Sequence, residues 1–455
     1  MDDLTQLLLP NILSDLEEGN LSTLRDVVHR LHPSDLADIL REMPQDRMIE
    51  MMGVMDRETI ATTLEQLELM YQKQIIRGLD GELAAGVLET MAADERVDII
   101  KAVSEEVRDN LLPRISVAER NDIRQLASYE EETAGAIMTS EFAYLPQSLQ
   151  AQEAIERVRD FARKPEQIYY LYLVNERNRL TGIVTLRDLL TCPADTRLTD
   201  IAQTELVEVD PETDQEEVAR MIRKYDLFAV PVTDESGALV GIVTADDVMD
   251  VLVEEDTEDM YRYGAAGEPV NYRMVPSTTI YWQRLPWLFF LVFAGLVSSY
   301  VLQIIETYQE LYGNLFAMLV MLTPMMNASG GNAGVQSSTT VVRGLATGEL
   351  TTGDLASIVY KEIKTGLLLG GSLAAIMLLR LIMFPDLGGN LVRIGATAFL
   401  AMMFAISFAT TLGAILPIIF DKLGMDPALM SGPFITSIVD ICTITIYFSL
   451  AALII

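Results

Sequence analysis

Residues 432–455 read GPFITSIVDICTITIYFSLAALII, a segment apolar enough to cross a lipid bilayer that carries one ionisable side chain, Asp440. A carboxylate near the middle of a membrane costs at least about 2.5 kcal/mol, and such a residue normally faces a partner or a water-filled path. The nearest base along the chain is Lys422, at the membrane edge. Pairing with Arg380 or Arg393 of other segments is the structural alternative. We interpret Asp440 as a functional residue on a wet path.

Charge divides the chain into two parts. Residues 1–284 contain 57 of the 66 acids and 27 of the 33 bases, whereas residues 285–455 contain nine acids and six bases. The first part is therefore expected to be water-soluble and the second to be a membrane domain. A strongly acidic surface excludes nucleic acid as a partner and favours cations, although acidity can also serve solubility alone.

Five hydrophobic segments predict five membrane crossings, at 285–305, 314–342, 357–383, 391–420 and 432–454. Bases that follow the second and fourth segments are Arg343, Lys361, Lys364 and Lys422, and the loop after the first segment has none. The positive-inside rule then places the acidic part in the cytoplasm and the C-terminus outside, against the weak opposing signal of Arg380 and Arg393. The N-terminus lacks the features of a cleaved signal peptide.

Soft metal ligands are scarce. The only such residues are Cys192, Cys442, His29 and His32, so zinc chemistry is excluded and a metal would be bound by oxygen. There is no P-loop, no dinucleotide fingerprint and no nucleophile arrangement, which argues against an enzyme and gives no catalytic residue.

The first 130 residues repeat short amphipathic segments that open with helix N-terminal signals. These openings lie at Ser34, Asp56, Asp80, Ala93 and Ser104. They predict an all-α domain of stacked short helices, with a solenoid as one arrangement.

A duplication follows. LYLVNERNRLTGIVTLRDLL, from Leu171, matches VPVTDESGALVGIVTADDVM, from Val230, and each copy predicts strand, turn, strand and helix. The pair resembles tandem cystathionine-β-synthase (CBS) domains over 137–253. That resemblance implies an adenine nucleotide held by Tyr170, Arg187 and Asp188; otherwise Asp188 is a first-turn acid stabilised by the helix dipole.

Two further motifs carry chemical information. One lies before the first hydrophobic segment, and the other lies within the second. DVMDVLVEEDTEDMYRYG, from Asp247, has five acids within six positions, whose repulsion weakens a helix unless it is neutralised. LTPMMNASGGNAGVQSSTT, from Leu322, contains Pro324 and several glycines, which predict an interrupted helix beside a wet cavity. A solvated charge run and tight helix packing are the respective structural alternatives.

The proline followed by GGNAGVQ, the Asp440 segment and the order of domains resemble the MgtE-type magnesium channels. The resemblance implies a multidomain protein with an all-α helical-repeat N-domain (1–130), α/β tandem CBS domains (137–253), a connecting (plug) helix (254–280) and a five-helix transmembrane domain (281–455). It also implies a homodimer in the cell (inner) membrane, with the pore between two copies of Asp440. One departure is Thr443, where the family often has glycine.

The resemblance also implies the sites. Mg²⁺ takes oxygen ligands, and Asp440, Asn332 and Thr436 would line the pore while Asp426 concentrates cations at its cytoplasmic end. Regulatory Mg²⁺ would be bound by Asp94, Asp98, Glu216, Asp226, Asp247, Asp250, Glu255, Glu258 and Asp259. A divalent-cation (Mg²⁺) channel closed by cytoplasmic Mg²⁺, with ATP as a further ligand, is the favoured function. The alternative is a membrane-anchored nucleotide sensor without transport, which leaves Asp440 unexplained.

Overall fold

A computed structural model describes residues 3–161, 169–272, 275–383, 391–429 and 432–454. The chain forms two compact units, Met1–Val253 and Glu254–Ile455. Each is described by itself.

The first unit begins with ten short helices. Their bounds are α1 Asp3–Glu18, α2 Leu21–Val28, α3 Pro33–Arg41, α4 Gln45–Met52, α5 Arg57–Leu64, α6 Leu69–Gly78, α7 Gly81–Thr90, α8 Ala93–Ala102, α9 Glu105–Leu111 and α10 Val117–Leu126. From α3 onward, each helix packs on the helix two positions further along the chain, so that odd and even helices form two rows. This arrangement buries the apolar faces that the sequence pattern predicted.

The helix starts at Asp56 and Asp80 are capped as predicted. Asp56 accepts a hydrogen bond from the Thr59 backbone at 2.8 Å, and Asp80 accepts one from the backbone of residue 82 at 3.0 Å. The start predicted at Ser34 is wrong by two residues. His32 is the cap there, because Pro33 occupies the first helical position and the His32 ring accepts from the Ser34 backbone.

The duplicated region contains two β-hairpins and their helices. The elements are β1 Tyr144–Pro146, α11 Ala151–Phe161, β2 Tyr170–Val174, β3 Leu180–Thr185, α12 Leu186–Thr191, α13 Leu198–Ile201, α14 Gln215–Tyr225, β4 Ala229–Thr233, β5 Leu239–Thr244 and α15 Ala245–Tyr263. Strand β1 runs parallel to β2, whereas β2–β3 and β4–β5 are antiparallel.

The two hairpins share one register. Leu173 pairs with Gly182 and Val232 pairs with Gly241, and each pairing is followed by an irregularity at the next residue. In the second copy the glycine leaves room for the segment before β1, because a Cβ on Gly241 would lie 2.5 Å from the Met138 sulfur and 3.1 Å from the Thr139 carbonyl oxygen. The predicted strand, turn, strand and helix pattern is confirmed in both copies.

One apolar core continues from the helical rows into the second repeat. It includes Leu40, Val87 and Ile100 of the rows together with Val230 and Val243 of β4 and β5. The helical part and the second repeat are therefore packed as one body rather than joined by a free linker.

The second unit contains the last turns of α15, which ends at Tyr263, and six further helices. They are α16 Ser277–Thr307, α17 Gln309–Tyr312, α18 Phe316–Ala346, α19 Leu355–Met383, α20 Leu391–Lys422 and α21 Gly432–Ile454. Four helical segments in the described residues are long and apolar enough to cross a membrane: Ser277–Thr307, Thr352–Met383, Leu391–Lys422 and Gly432–Ile454. Helix α18 is long enough but is not among them, so the predicted count of five spans is not confirmed.

The interruption predicted in the second hydrophobic segment is wrong. Helix α18 is continuous from Phe316 to Ala346 with Pro324 inside it. Its glycines instead allow close helix packing. A Cβ on Gly413 of α20 would lie 2.2 Å from the Gly334 carbonyl oxygen, and one on Gly331 would lie 2.8 Å from the Thr436 methyl group. Small residues thus bring the backbones of α18 and α20 into contact and let the Thr436 side chain of α21 pack directly on α18.

Candidate cation and nucleotide sites

An acidic group in the first unit joins the helical rows to the second repeat. Asp94, Glu95 and Asp98 lie on α8, and Asp247 lies in the first turn of α15. Burial raises the pKa of Asp247 to about 7, and the negative charge of Asp94 adds to this effect. Burial also raises the pKa of Glu95 to about 8, with contributions from Asp98 and Asp247. These carboxyls are therefore close enough to repel one another when ionised.

Two members of this group were not predicted from the sequence. Glu95 accepts a hydrogen bond from the Gln72 amide at 3.1 Å, and Glu65 accepts one from the Ala92 backbone at 2.9 Å. The charge of Glu65 also acts on Glu95. Both partners lie more than 20 residues away along the chain, so only the stacking of the helical rows reveals them.

Arg96 lies fully buried beside the acidic group. Its guanidinium is 2.6 Å from the Glu119 carboxylate, 3.6 Å from Asp122 and 3.7 Å from Glu141. Helices α8 and α10 and the segment before β1 are therefore joined by one buried cation. A buried charge of this kind is stable only while its partners are present.

The remaining regulatory residues of the first unit are spread along the surface. Glu216 starts α14 and pairs with Arg220 at 2.6 Å, whereas Asp226 ends that helix in a left-handed conformation with φ of 51°. Ten residues of helix separate the two by about 15 Å, so they cannot share an ion. Asp250 is exposed on α15. Among the described residues no group of three or more acidic, His or Cys side chains has the geometry of a metal site.

The acidic turns of α15 in the second unit contain Glu255, Glu258 and Asp259. Glu258 forms an ion pair with Arg262 one turn further on. The Arg262 guanidinium also donates to Asp426 at 2.6 Å, and the other Asp426 oxygen accepts from the Ala428 backbone at 2.7 Å. Asp426, which was predicted to attract cations, is thus already paired with a positive charge of the protein itself, the Arg262 guanidinium.

Asp440 lies on α21, which contacts α16, α18 and α20. Its Oδ1 atom is buried without a hydrogen-bond partner, and the side chain forms no ion pair with any described residue. The alternative pairing with Arg380 or Arg393 is therefore not observed in the described part of the chain. Thr436 packs on Gly331, and Asn332 is exposed on α18.

The predicted nucleotide residues lie together on the first repeat. Tyr170 pairs with Thr185 across the hairpin, and Thr185 caps α12 by accepting from the Asp188 backbone while its hydroxyl donates to the Asp188 carboxylate at 2.7 Å. Asp188 is thus the first-turn acid that the sequence predicted. Arg187 precedes it on α12.

An aromatic group beside these residues was missed. The rings of Tyr169 and Phe228 stack at 5.6 Å and are 62% and 57% exposed. The two residues occupy equivalent positions, because each carbonyl accepts from the first residue of the following helix, Leu186 or Ala245. The duplication itself was the signal that could have identified them.

Family models match three parts of the chain. Divalent cation transporter covers residues 323–450, MgtE intracellular N domain covers 31–132, and CBS domain covers 134–195 and 198–254. Together with the apolar helices, these matches define a membrane transporter that carries a CBS pair.

Curated relatives match nearly the whole chain. The magnesium transporter MgtE of Bacillus subtilis is 31% identical over 444 residues, covering 98% of this chain and 96% of the relative. That of Thermus thermophilus is 33% identical over 448 residues, covering 96% of each. The chain belongs to the MgtE magnesium transporter family. Because these relatives are transporters, the prediction that the chain is not an enzyme is confirmed.

Solved structures match the first unit. The soluble part of a magnesium transporter has a TM-score of 0.52 at 30% identity and covers 55% of this chain and 99% of its own. The cytosolic domain of the Mg²⁺ channel MgtE in complex with ATP has a TM-score of 0.52 at 34% identity, covering 54% and 100%.

Proposed function

We propose that this chain conducts divalent cations, Mg²⁺ above all, through a dimeric membrane pore that cytoplasmic Mg²⁺ closes. The observation that carries the proposal is Asp440, an acid on an apolar helix with one buried oxygen and no partner among the described residues. A carboxylate is retained in such a place when a cation or water visits it. Two copies around a two-fold axis present two negative charges to one divalent ion.

Mg²⁺ suits this chemistry because it keeps much of its water and needs oxygen acceptors rather than a closed cage. Thr436, one helical turn before Asp440, and Asn332 of α18 are the further oxygen donors in this proposal. In the proposed topology the acidic part is cytoplasmic, α18 is a fifth span and the C-terminus lies outside the cell. Helix α18 is long enough for this role, and its exposed polar residues Asn332 and Gln336 belong on the pore rather than in lipid.

Closure of the pore by Mg²⁺ is proposed to depend on the acidic group of α8 and α15. Without cations, the carboxylates of Asp94, Glu95 and Asp247 repel one another and weaken the contact between the helical rows and α15. Mg²⁺ removes that repulsion and favours the compact state. Asp98 and Asp250 of the first unit, and Glu255, Glu258 and Asp259 of the second, are further ligands in this proposal, and Glu216 and Asp226 take part at separate positions.

The CBS pair is proposed to bind ATP between Tyr170, Arg187 and Asp188, with Tyr169 and Phe228 as the stacking surface. A relative of the first unit was solved with ATP, which supports this assignment. A nucleotide that favours the compact state must raise the apparent Mg²⁺ affinity, because coupling between two sites is reciprocal. Calorimetry of ATP binding with and without Mg²⁺ tests it, and equal ATP affinities would remove the coupling.

The pore assignment is tested with Asp440→Asn, which keeps the shape and removes the charge. We expect a folded dimer whose Mg²⁺ flux into liposomes is largely lost, whereas Asp440→Glu retains part of the flux with altered selectivity. Cys442→Ser is the matched control two residues away and should conduct normally. Wild-type flux through a dimeric Asp440→Asn variant would contradict the proposal and favour the nucleotide-sensor alternative.

A further inference from the structure

The end of α15 is attached to the membrane part of the second unit by two adjacent side chains. Arg262 pairs with Asp426, which precedes α21. The Tyr263 hydroxyl lies 3.0 Å from the Val335 carbonyl oxygen, to which it donates, and 2.7 Å from the Thr339 hydroxyl. The Tyr263 contacts join the last turn of α15 to α18, the helix that carries the GGNAGVQ motif, and the Arg262 contact joins it to the segment between α20 and α21.

Both oxygens of Asp426 accept hydrogen bonds, and one of them belongs to the ion pair. One oxygen accepts from the Ala428 backbone, and the other accepts from Arg262 at 2.6 Å. The side chains of Arg262 and Asp426 are 33% and 28% exposed, so water reaches the pair without separating it. A divalent cation that binds Asp426 must therefore displace the guanidinium.

We infer that Arg262 is a tethered cation that competes with divalent cations for Asp426. Glu258 orients its guanidinium from one turn earlier on α15. When divalent cations are scarce, Arg262 neutralises Asp426 and holds the end of α15 to the segment between α20 and α21, while Tyr263 holds it to α18. When a cation takes Asp426, that half of the attachment is released. Because a guanidinium stays protonated at all relevant pH values, Arg262 remains a competitor for Asp426 throughout that range.

The role of this competition in gating rests on the proposed function, because the competition would affect how α15 moves when the pore opens or closes. If repulsion displaces the acidic turns of α15, the Arg262 and Tyr263 contacts make the motion a rotation about a fixed end rather than a detachment. Arg262 is thus a positioning residue that does not itself touch the conducted ion.

Mn²⁺ binding to the full-length protein in detergent, followed by electron paramagnetic resonance, tests the competition directly. Arg262→Gln should tighten one Mn²⁺ site about three- to tenfold, the effect expected for removing one partly exposed competing charge. Asp426→Asn in the same chain should abolish that gain, and Arg262→Lys should restore most of the wild-type behaviour. The inference is overturned if the gain persists without Asp426.

Lys422→Gln is the matched control. It removes an exposed positive charge at the end of α20, four residues before Asp426 in the sequence. A change in Mn²⁺ affinity equal to that of Arg262→Gln would show a general field effect and overturn the inference. Amide hydrogen exchange of residues 258–264 in chelator provides the second measurement. Arg262→Gln and Tyr263→Phe should each raise exchange there, and unchanged exchange in both would also overturn it.

These measurements separate the two proposals. Mn²⁺ binding and hydrogen exchange do not require transport, so a protein that carries no Mg²⁺ in liposomes would refute the proposed function and leave the Arg262 result standing. Normal transport together with unchanged Mn²⁺ binding in Arg262→Gln would refute only the competition.

Discussion

Replacing Asp247 by Asn should stabilise the first unit at pH 8 without Mg²⁺ and remove most of its stabilisation by Mg²⁺. The carboxyl is half-buried, near Asp94, and accepts a hydrogen bond from the Thr244 hydroxyl. Burial, followed by the charge of Asp94, raises its pKa from 3.8 to about 7. Ionising it in the folded state is therefore costly, and Asn avoids that cost while still accepting from Thr244.

The magnitude follows from the shift. One pKa unit corresponds to about 1.4 kcal/mol, so a shift from 3.8 to about 7 sets an upper bound near 4 kcal/mol. Partial exposure and relaxation reduce this, and we expect Asp247→Asn to gain about 1–3 kcal/mol at pH 8. Mg²⁺ at ten times its dissociation constant should add about 1.4 kcal/mol to the wild type.

The sign of the pH dependence is fixed by the same shift. Since the folded state favours the protonated carboxyl, it binds more protons than the unfolded chain between pH 3.8 and about 7. The free energy of unfolding therefore falls as pH rises through this window. Glu95, whose pKa burial raises to about 8, acts in the same direction. The advantage of Asp247→Asn should thus be large at pH 8 and nearly absent at pH 4.

Urea unfolding of the soluble part, of the kind crystallised from relatives, measures these differences with EDTA and with Mg²⁺ at both pH values. Asp246→Asn is the matched control, because it makes the same charge change at an exposed neighbour. The reasoning is refuted if Asp247→Asn destabilises the protein equally at both pH values. It is also refuted if Mg²⁺ stabilises the variant as much as the wild type.

Three other substitutions test the remaining contacts. Gly413→Ala forces a Cβ to within 2.2 Å of the Gly334 carbonyl oxygen and should cost about 1–3 kcal/mol or more, whereas Gly371→Ala meets nothing within 4 Å; equal thermal stability of the two in detergent would contradict this. Arg96→Met leaves three half-buried carboxylates without their cation and should cost about 1–3 kcal/mol in urea unfolding, so an unchanged free energy of unfolding would contradict the role of Arg96. Phe228→Ala should weaken ATP binding severalfold in calorimetry by removing the stacking surface, and unchanged affinity would exclude it from the site.

The local parts of the fold could be predicted because their signals are local. The GIVT strands, the turns before them and the caps at Asp56 and Asp80 depend on residues a few positions apart. The duplication then fixed both hairpins together, since Leu173 opposite Gly182 repeats as Val232 opposite Gly241. Periodicity is enough where an element is determined by its own side chains.

The continuity of α18 could not be predicted because its cause lies on other helices. Pro324 and three glycines in one segment ordinarily indicate a break. Here atoms of α20 and α21 fill the space that a side chain at each of these glycines would take. The Ser337 hydroxyl also donates to the Thr410 carbonyl oxygen at 2.7 Å. The packing contacts with α20 and α21 compensate for poor intrinsic helix propensity. The group around Glu95 was missed for the same reason, since Glu65 and Gln72 meet it only through the stacking of helices.

Thr443 shows how such a contact determines what a site can tolerate. It follows Asp440 by three residues, is buried, and stands where the resemblance leads one to expect glycine. On α18, a Cβ at Gly330 would lie 2.9 Å from the Thr443 hydroxyl oxygen. The two helices therefore need one small residue at this crossing, and here α18 provides it. The room for Thr443 therefore comes from Gly330, one turn of α21 away from the carboxyl of Asp440, so a larger residue at 330 would press on the helix that carries this acid.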